Sequence, residues 1–437
     1  MNTESLLSWL IGIAILLAFL IPYIRGMKKR EARTRLRLAE TQATGQDKPL
    51  MQHPILNQSV CIGCGICVAS CPEGDVLGLI NGKATIIHGS HCVGHGLCAE
   101  NCPVGAIEIG LGDISHREDI PKLSENFESN ISGIYIIGEL SGLALIRNAI
   151  EHGIKAIDHI HQHIGNAGDC EFDVGIVGAG PAGLSAALHA RELGLRYVVI
   201  DQDNPGGTIL QYPRRKLTLV QPVRLPLFGE LNKLEYTKEE LLDIWQEVIE
   251  KHKINLRTHH KLLGVDKNNG CFILKTSGND ILVKKVILSL GRRGTPRKLG
   301  VPGEEMGKVM YKLMDAETYR DKKILVVGGG DSAIEAAIGL AGQPGNQVTI
   351  SYRKPHFFRL KARNETNIER AINEKKLTVL FNSNVKEIRS DKVVLEQDGK
   401  CIELDNDFVF IFAGGELPFP LLNSIGIAFG KKIETRE

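Results

Sequence analysis

Asp173-Val174-Gly175-Ile176-Val177-Gly178-Ala179-Gly180-Pro181-Ala182-Gly183 is the stretch whose reading decides the fold of most of this chain. It reads as a buried strand, then G-x-G-x-x-G, then a helix. Gly178 allows the tight turn and Gly180 lets backbone approach a pyrophosphate. Gly183 lets the helix pack on the strand, and the helix N-terminus faces the phosphates. Alone, three spaced glycines are weak evidence. Here a second strand, Tyr197-Val-Val-Ile200, ends in Asp201, and an acid about twenty residues past the motif suits ribose hydroxyls. The combination makes a dinucleotide-binding βαβ unit a strong expectation.

The pattern recurs downstream. Ile324-Leu-Val-Val-Gly328-Gly329-Gly330-Asp331-Ser332-Ala333-Ile334-Glu335 has Ala333 in the place of the third glycine, a tolerated change. The strand that follows, Gln347 to Tyr352, leads into Arg353 and Lys354, with Arg359 and Lys361 beyond. Basic groups at that position suit the 2′-phosphate of NADPH, where an acid would favour NADH. The plainer alternative is a solvated basic loop.

Upstream lie two cysteine rows. The first is Cys61-x-x-Cys64-x-x-Cys67-x-x-x-Cys71-Pro72, the second Cys92-x-x-His95-x-x-Cys98-x-x-x-Cys102-Pro103. This is the two-cluster bacterial ferredoxin spacing with one cysteine replaced by histidine. In that arrangement the fourth cysteine of each row serves the other cluster. Cys61, Cys64, Cys67 and Cys102 would hold one [4Fe-4S] cluster. Cys71, Cys92 and Cys98 would hold the second, with His95 either as fourth ligand or leaving a [3Fe-4S] cluster. Structural zinc is the general alternative for cysteine groups, but paired Cys-x-x-x-Cys-Pro rows are far more specific to iron–sulfur. An imidazole in place of a thiolate removes a negative charge and should raise that cluster's potential. His88 and His91 lack ligand spacing and read as a solvated loop. Between the rows, Val76 to Ile87 reads as a hairpin turning at Asn81-Gly82.

The 437 residues have room for about three domains. A net charge of +2 gives no case for nucleic acid. Basic charge is concentrated locally, from Arg25 to Arg37. Thiolate ligands need a reducing compartment. Cys170, Cys271 and Cys401 are scattered, and each reads as packing or incidental. Leu6 to Ile24 carries no charge, and its nineteen positions would rise about 28 Å as a helix. With Trp9 and Tyr23 near its ends and the basic run directly after it, the stretch reads as a single membrane anchor with the rest of the chain in the cytoplasm.

Two dinucleotide motifs about 150 residues apart resemble the two-dinucleotide-binding flavoproteins, specifically the thioredoxin-reductase-like group. The resemblance implies FAD at the first motif and NADPH at the second. Gly206-Gly207-Thr208 looks like that group's double glycine beside the flavin, with Tyr212-Pro213 after it. Ser289-Leu-Gly291 with Val301-Pro-Gly303, and Phe408 to Gly414, look like the two interdomain connections. Members of the group close with a strand, Gly-Asp and a helix along the flavin, whereas here the sequence stops at Glu437. Ser132 to Gly138-Glu139, followed by Arg147-Asn148-Ala149, resembles that closing motif placed upstream, so a circularly permuted flavin domain is expected. Arg147 and Asn148 would then contact the flavin ring. The group's redox C-x-x-C is missing, and the ferredoxin rows stand in as the flavin's electron partner.

The resulting expectation is an α/β protein with two Rossmann-like domains, a small α+β ferredoxin domain and one transmembrane helix. Its segments are an anchor (5–25), a linker (26–54), the ferredoxin domain (55–112), the permuted segment (113–165), the FAD domain (166–297), the NAD(P)H domain (298–413) and a return to the FAD domain (414–437). The expected activity is electron transfer between NADPH, FAD and two clusters, to or from a redox protein at the cell membrane. Membrane lipid is the second expected partner, and a homodimer is compatible with the pattern. Two other readings compete. One is a reductase of a small molecule, such as a low-molecular-weight disulfide, bound at the flavin and lined by Tyr212 and Arg214-Arg215-Lys216. The other is a redox-sensing scaffold.

Overall fold

The computed structural model describes residues 3–49, 52–110, 120–142, 145–165, 170–214, 216–268, 270–292, 296–358, 360–415 and 418–430. The chain divides into two compact units, Met1–Gly110 and Leu111–Glu437.

The first unit opens with a helix of 42 residues, Thr3–Thr44. The expected membrane anchor, and the cell-membrane location built on it, must be corrected. Among the described residues no helix is long and apolar enough to cross a membrane. The uncharged run holds nineteen positions and includes Ser8, Gly12 and Pro22, short of the roughly 20 predominantly apolar residues a span needs. The stretch expected as a linker is helical at first, since the helix continues to Thr44, where it lies on the ferredoxin hairpin. There the Arg35 guanidinium donates to Asn81 Oδ1 at 2.5 Å, and Thr41 Oγ1 donates to the Ile87 carbonyl at 2.6 Å.

That hairpin joins Leu77–Ile80 to Lys83–Ile86, with Ile80 opposite Lys83. Asn81 and Gly82 both have positive φ, 52° and 70°, the geometry that makes Asn-Gly the preferred two-residue turn. A second antiparallel pair, His53–Leu56 with Ile107–Gly110, brings the ends of the ferredoxin stretch together.

Two larger sheets organise the second unit. In the first, Leu256–Arg257, Tyr197–Ile200, Phe172–Val177 and Ile281–Leu288 run parallel, and Cys271–Thr276 and Leu262–Asn268 extend the sheet antiparallel. The strands Tyr197–Ile200 and Phe172–Val177 are almost wholly buried runs, as parallel strands covered on both faces must be. Ile281–Leu288 is long enough to pair twice on one side. Its first half meets the strand Cys271–Thr276, and its last residues pair in parallel with Ile134–Ile136. The upstream segment thus supplies a fully buried strand of this sheet. The helix that follows it, Ile146–Gln162, packs along the helix Pro181–Glu192, and Ser185 Oγ donates to the Ile150 carbonyl at 2.8 Å.

The second sheet is parallel, in the order Val309–Met310, Phe408–Ile411, Lys323–Val327, Gln347–Ser351, Leu377–Leu380. A three-stranded antiparallel sheet, Ser383–Asp405, stands beside it. The two chain passages between the sheets lie side by side: Pro296 bridges Gly415, and the Arg297 N–H donates to the Gly414 carbonyl at 2.9 Å. The first passage leads into a tight turn closed by Glu304, whose carboxylate accepts from the N–H groups of Leu299 and Gly300, both at 2.7 Å, and from the Tyr311 hydroxyl at 2.8 Å.

Cys170 and Cys271 are not incidental. They form a disulfide across 101 residues, both buried, which ties the chain just before the first motif's strand to the antiparallel edge of its sheet.

Candidate functional site

At the first motif the three glycines do different jobs. A Cβ on Gly183 would lie 1.9 Å from the Gly178 carbonyl oxygen, and one on Gly178 would lie 2.5 Å from the Ser289 carbonyl oxygen. Both positions are therefore demanded by packing. A Cβ on Gly180 would meet only the Gly207 Cα, at 3.8 Å. The helix entrance is open there, framed by the backbone of Gly206 and Gly207, whose φ values are 125° and 57°. The Gly206 N–H donates to the Ala179 carbonyl at 2.8 Å, which fixes that frame. Thr208 follows directly in the one-turn helix Gly207–Gln211.

Asp201 ends the second strand. Its Oδ2 accepts the Ala179 N–H at 2.6 Å and its Oδ1 the Asp203 N–H at 2.8 Å. Burial pushes this carboxyl above its usual range, and the backbone donors only partly oppose that. Gly138, with φ 74°, abuts the helix N-terminus, since a Cβ there would meet the Ala182 Cβ at 3.0 Å. Glu139 and Ala149 are half-buried on the same segment. Arg147 holds Glu151 at 3.0 Å, and Asn148 lies beside it, half-buried. The Tyr212 carbonyl accepts from Lys238 Nζ at 2.6 Å, and Lys216 Nζ sits 4.7 Å from the Tyr212 ring centroid. An open glycine cradle, a helix N-terminus and a half-buried acid fit a flavin dinucleotide.

The second motif repeats the division of labour. A Cβ on Gly328 would lie 2.6 Å from the Phe412 carbonyl oxygen, whereas nothing lies within 4 Å of one on Gly330. The buried Ala333 packs the helix where the first copy needs Gly183. Ser332 is half-buried in the first turn. Two acids expected at the cofactor already have protein partners. Asp331 Oδ1 accepts the Lys361 N–H at 3.0 Å and Asn364 Nδ2 at 2.7 Å. Glu335 accepts from Asn364 Nδ2 at 3.1 Å and from Lys216 Nζ at 2.7 Å, and the lysine comes from the other lobe. Arg353 is exposed at the end of its strand, and Lys354 Nζ lies 4.3 Å from the Phe358 ring centroid. Arg359 and Arg215 lie outside the described residues.

In the first unit the ligand-type side chains fall into two groups. Cys61, Cys64 and Cys102 are near enough to Cys67 to act on its ionisation, and the four thiols line one pocket with Leu56, Leu79 and Ile107. Cys71 and Cys92 act on Cys98 in the same way, and His95 Nε2 lies 4.0 Å from Cys71 Sγ. Burial pushes the Cys92 thiol up to about 11 and the Cys98 thiol up to about 12, with neighbouring thiols adding to it. Cys61 moves down instead, chiefly because the Ala84 N–H donates to its sulfur. Thiols crowded together resist ionising unless a metal cation compensates them, and a coordinating thiol is deprotonated outright. These donor sets fit iron–sulfur clusters. His95 is buried, and the Leu97 N–H approaches its Nδ1 at 3.4 Å.

Sequence reasoning missed Asp75, His88 and His91. The two histidines are buried rather than solvated, and each places Nδ1 against one oxygen of Asp75. The only signal available was two histidines beside a cluster row.

Two dinucleotide cradles, each on parallel strands of its own sheet, define the class, a pyridine-nucleotide flavoprotein. The chain belongs to the pyridine nucleotide-disulphide oxidoreductase family, which it matches over residues 175–435, and residues 53–103 match a 4Fe-4S dicluster domain. It is 28% identical to the bacilliredoxin reductase of Bacillus subtilis over 59% of this chain and 81% of that protein. It is 33% identical to the ferredoxin–NADP reductase of Ignicoccus hospitalis over 57% of this chain and 74% of that one. The bacillithiol disulfide reductase of Staphylococcus aureus superposes with a TM-score of 0.53 at 27% identity, over 61% of this chain and 82% of that structure. The chain is accordingly an NAD(P)H-dependent, FAD-containing oxidoreductase with an iron–sulfur domain.

Proposed function

We propose that this protein moves electrons between NADPH, FAD and two iron–sulfur clusters, and exchanges them with a separate redox protein. A bound flavin would supply hydride exchange with nicotinamide and single-electron exchange with the clusters. The chain's own residues bind and orient. Gly180, Pro181, Gly206 and Gly207 present backbone to the flavin pyrophosphate, Asp201 offers its carboxylate to the ribose, and Gly138, Glu139, Arg147 and Asn148 lie toward the flavin. Gly330 and Ser332 present the second helix N-terminus to the nicotinamide nucleotide. Arg353, with Lys354, supplies positive charge for a 2′-phosphate. No side chain is required as a general acid or base.

The observation that carries this reading is the sorting of eight ligand-type side chains into two groups of four, within a chain that also holds two glycine cradles. The relative named a ferredoxin–NADP reductase supports the same pairing of flavin and ferredoxin. We further infer that the flavin fold is circularly permuted. The parallel pairing of Ile134–Ile136 with Ile281–Leu288, the packing of Ile146–Gln162 on the first motif's helix, and the abutment of Gly138 on Ala182 support it. The names of the disulfide-reductase relatives favour a second reading, reduction of a small disulfide at the flavin.

The test is an anaerobic NADPH titration of the purified protein, followed by low-temperature EPR. Reduced-cluster signals that grow as flavin absorbance bleaches are expected. Clusters that stay oxidised while a small disulfide is turned over, with the same rate after deletion of residues 56–112, would favour the second reading.

A further inference from the structure

Asp75 stands 13 residues before His88 and 16 before His91, yet the three side chains meet. His88 Nδ1 lies 3.0 Å from Asp75 Oδ2, and His91 Nδ1 lies 2.8 Å from Asp75 Oδ1. The imidazoles stack with ring centroids 3.4 Å apart. The histidines are 8% and 2% exposed. One donor atom can be taken from each of the three residues so that all lie within 4.8 Å of one another.

The backbone holds this arrangement firmly. The Ile87 N–H donates to the Val76 carbonyl at 2.8 Å, and the Ser90 N–H to the Gln46 carbonyl at 2.9 Å. A Cβ on Gly89 would lie 2.3 Å from the Asp47 carbonyl oxygen, so the turn that carries both histidines is packed tightly against its neighbour.

The Nδ1 atom of each imidazole faces a different oxygen of the one carboxylate, so the donor atoms converge on one small space. Two imidazoles and one carboxylate form a nitrogen–oxygen donor set of the kind that zinc accepts. The Asp75 side chain is 28% exposed, which leaves an entry path and room for water as a further ligand.

We propose that Asp75, His88 and His91 bind one divalent transition-metal ion, zinc in the first instance, at a site separate from the iron–sulfur ligands. Asp75 lies four residues after Cys71, and His91 immediately precedes Cys92. The ion therefore staples together the two chain segments that carry ligands of the second group.

The test uses the full chain with its clusters in place. The protein is incubated with an equivalent of Zn²⁺, passed through a desalting column and analysed for zinc, iron and sulfide, with X-ray absorption at the zinc edge. About one zinc per chain with nitrogen and oxygen neighbours is expected in the wild type. His88→Gln and Asp75→Asn should lose it while iron and sulfide stay at wild-type levels. No retained zinc, zinc surrounded by sulfur (as in an empty cysteine group), or zinc retained undiminished by both variants would each overturn the proposal. If a variant loses iron, the wild-type zinc content and edge spectrum decide the matter alone.

Discussion

Replacing Gly153 with alanine sets two physical effects against each other. Gly153 lies in the helix Ile146–Gln162, buried against the helix of the first motif. In an exposed helix the substitution would stabilise by about 1 kcal/mol, because alanine is the better helix former. Here a Cβ would lie 2.7 Å from the Ala182 carbonyl oxygen, 2.8 Å from the Ala186 nitrogen and 3.1 Å from the Ser185 Cβ. Two of those atoms are backbone and cannot rotate away, so the helices must separate. Overpacking of this kind costs about 1–3 kcal/mol, and backbone contacts put it near the upper end. The net loss is then about 2 kcal/mol. At about 2–4 °C per kcal/mol for a domain of this size, the melting temperature should fall by about 4–8 °C. The separation also displaces Ala182, at the helix entrance, so flavin should be lost more readily on gel filtration. Calorimetry of the flavin-loaded protein with flavin content measured in parallel makes the test. An unchanged or raised melting temperature with full flavin retention would refute the close crossing, and with it the assignment of the upstream segment to the flavin fold.

Three further outcomes are expected. Glu304→Gln should destabilise the protein by about 2–3 kcal/mol at neutral pH, since a carboxylate holding several donors is worth more than a neutral amide. Burial raises that carboxyl, but the Leu299 N–H, the Tyr311 hydroxyl and the Gly300 N–H together bring it below its ordinary value of 4.5; stability from its ionised form is therefore present above about 4.5 and lost as pH falls through the lower folded value. Denaturant midpoints should show a constant gap between wild type and variant from about pH 8 to 5, and a gap closing within that range would place the titrating group elsewhere. Cys271→Ser should cost about 2–5 kcal/mol, since the bond closes a loop of 101 residues; a wild-type melting temperature unmoved by a thiol reductant would show the sulfurs unbonded. His95→Cys should lower the potential of the second cluster by adding a thiolate charge, and an unchanged EPR-monitored redox titration would remove His95 from the ligand set.

What the sequence made legible is whatever its chemistry keeps local. The glycine motifs and the cysteine rows need fixed spacing over about a dozen residues, and so does the Asn81-Gly82 turn. Features that depend on chain separation escaped. Lys216 and Glu335 are 119 residues apart and the disulfide sulfurs 101 apart, and no local pattern marks either pair. Asp75, His88 and His91 straddle a hairpin, and only its closure brings them together. The membrane span failed for a different reason. Its apolar run sits at the length threshold, where absence of charge alone does not decide between a span and the start of a longer helix.

The two glycine motifs also show that most of a legible motif is packing. In the first copy, Gly178 and Gly183 are forced by carbonyl oxygens 2.5 and 1.9 Å from any added Cβ, and only Gly180 opens toward a ligand. In the second copy Gly330 is the open position, and Ala333 already carries a Cβ, 3.2 Å from where one on Gly328 would lie. The first helix therefore crosses its strand more closely than the second does. The upstream segment also lies against this first helix, with Gly138 against Ala182 and Gly153 against Ala182 and Ala186. A third glycine in one copy and an alanine in the other is thus more than tolerance in a pattern. The glycine stands where a Cβ would strike the Gly178 carbonyl and the Ser289 hydroxyl, and the alanine stands where its Cβ is already accommodated.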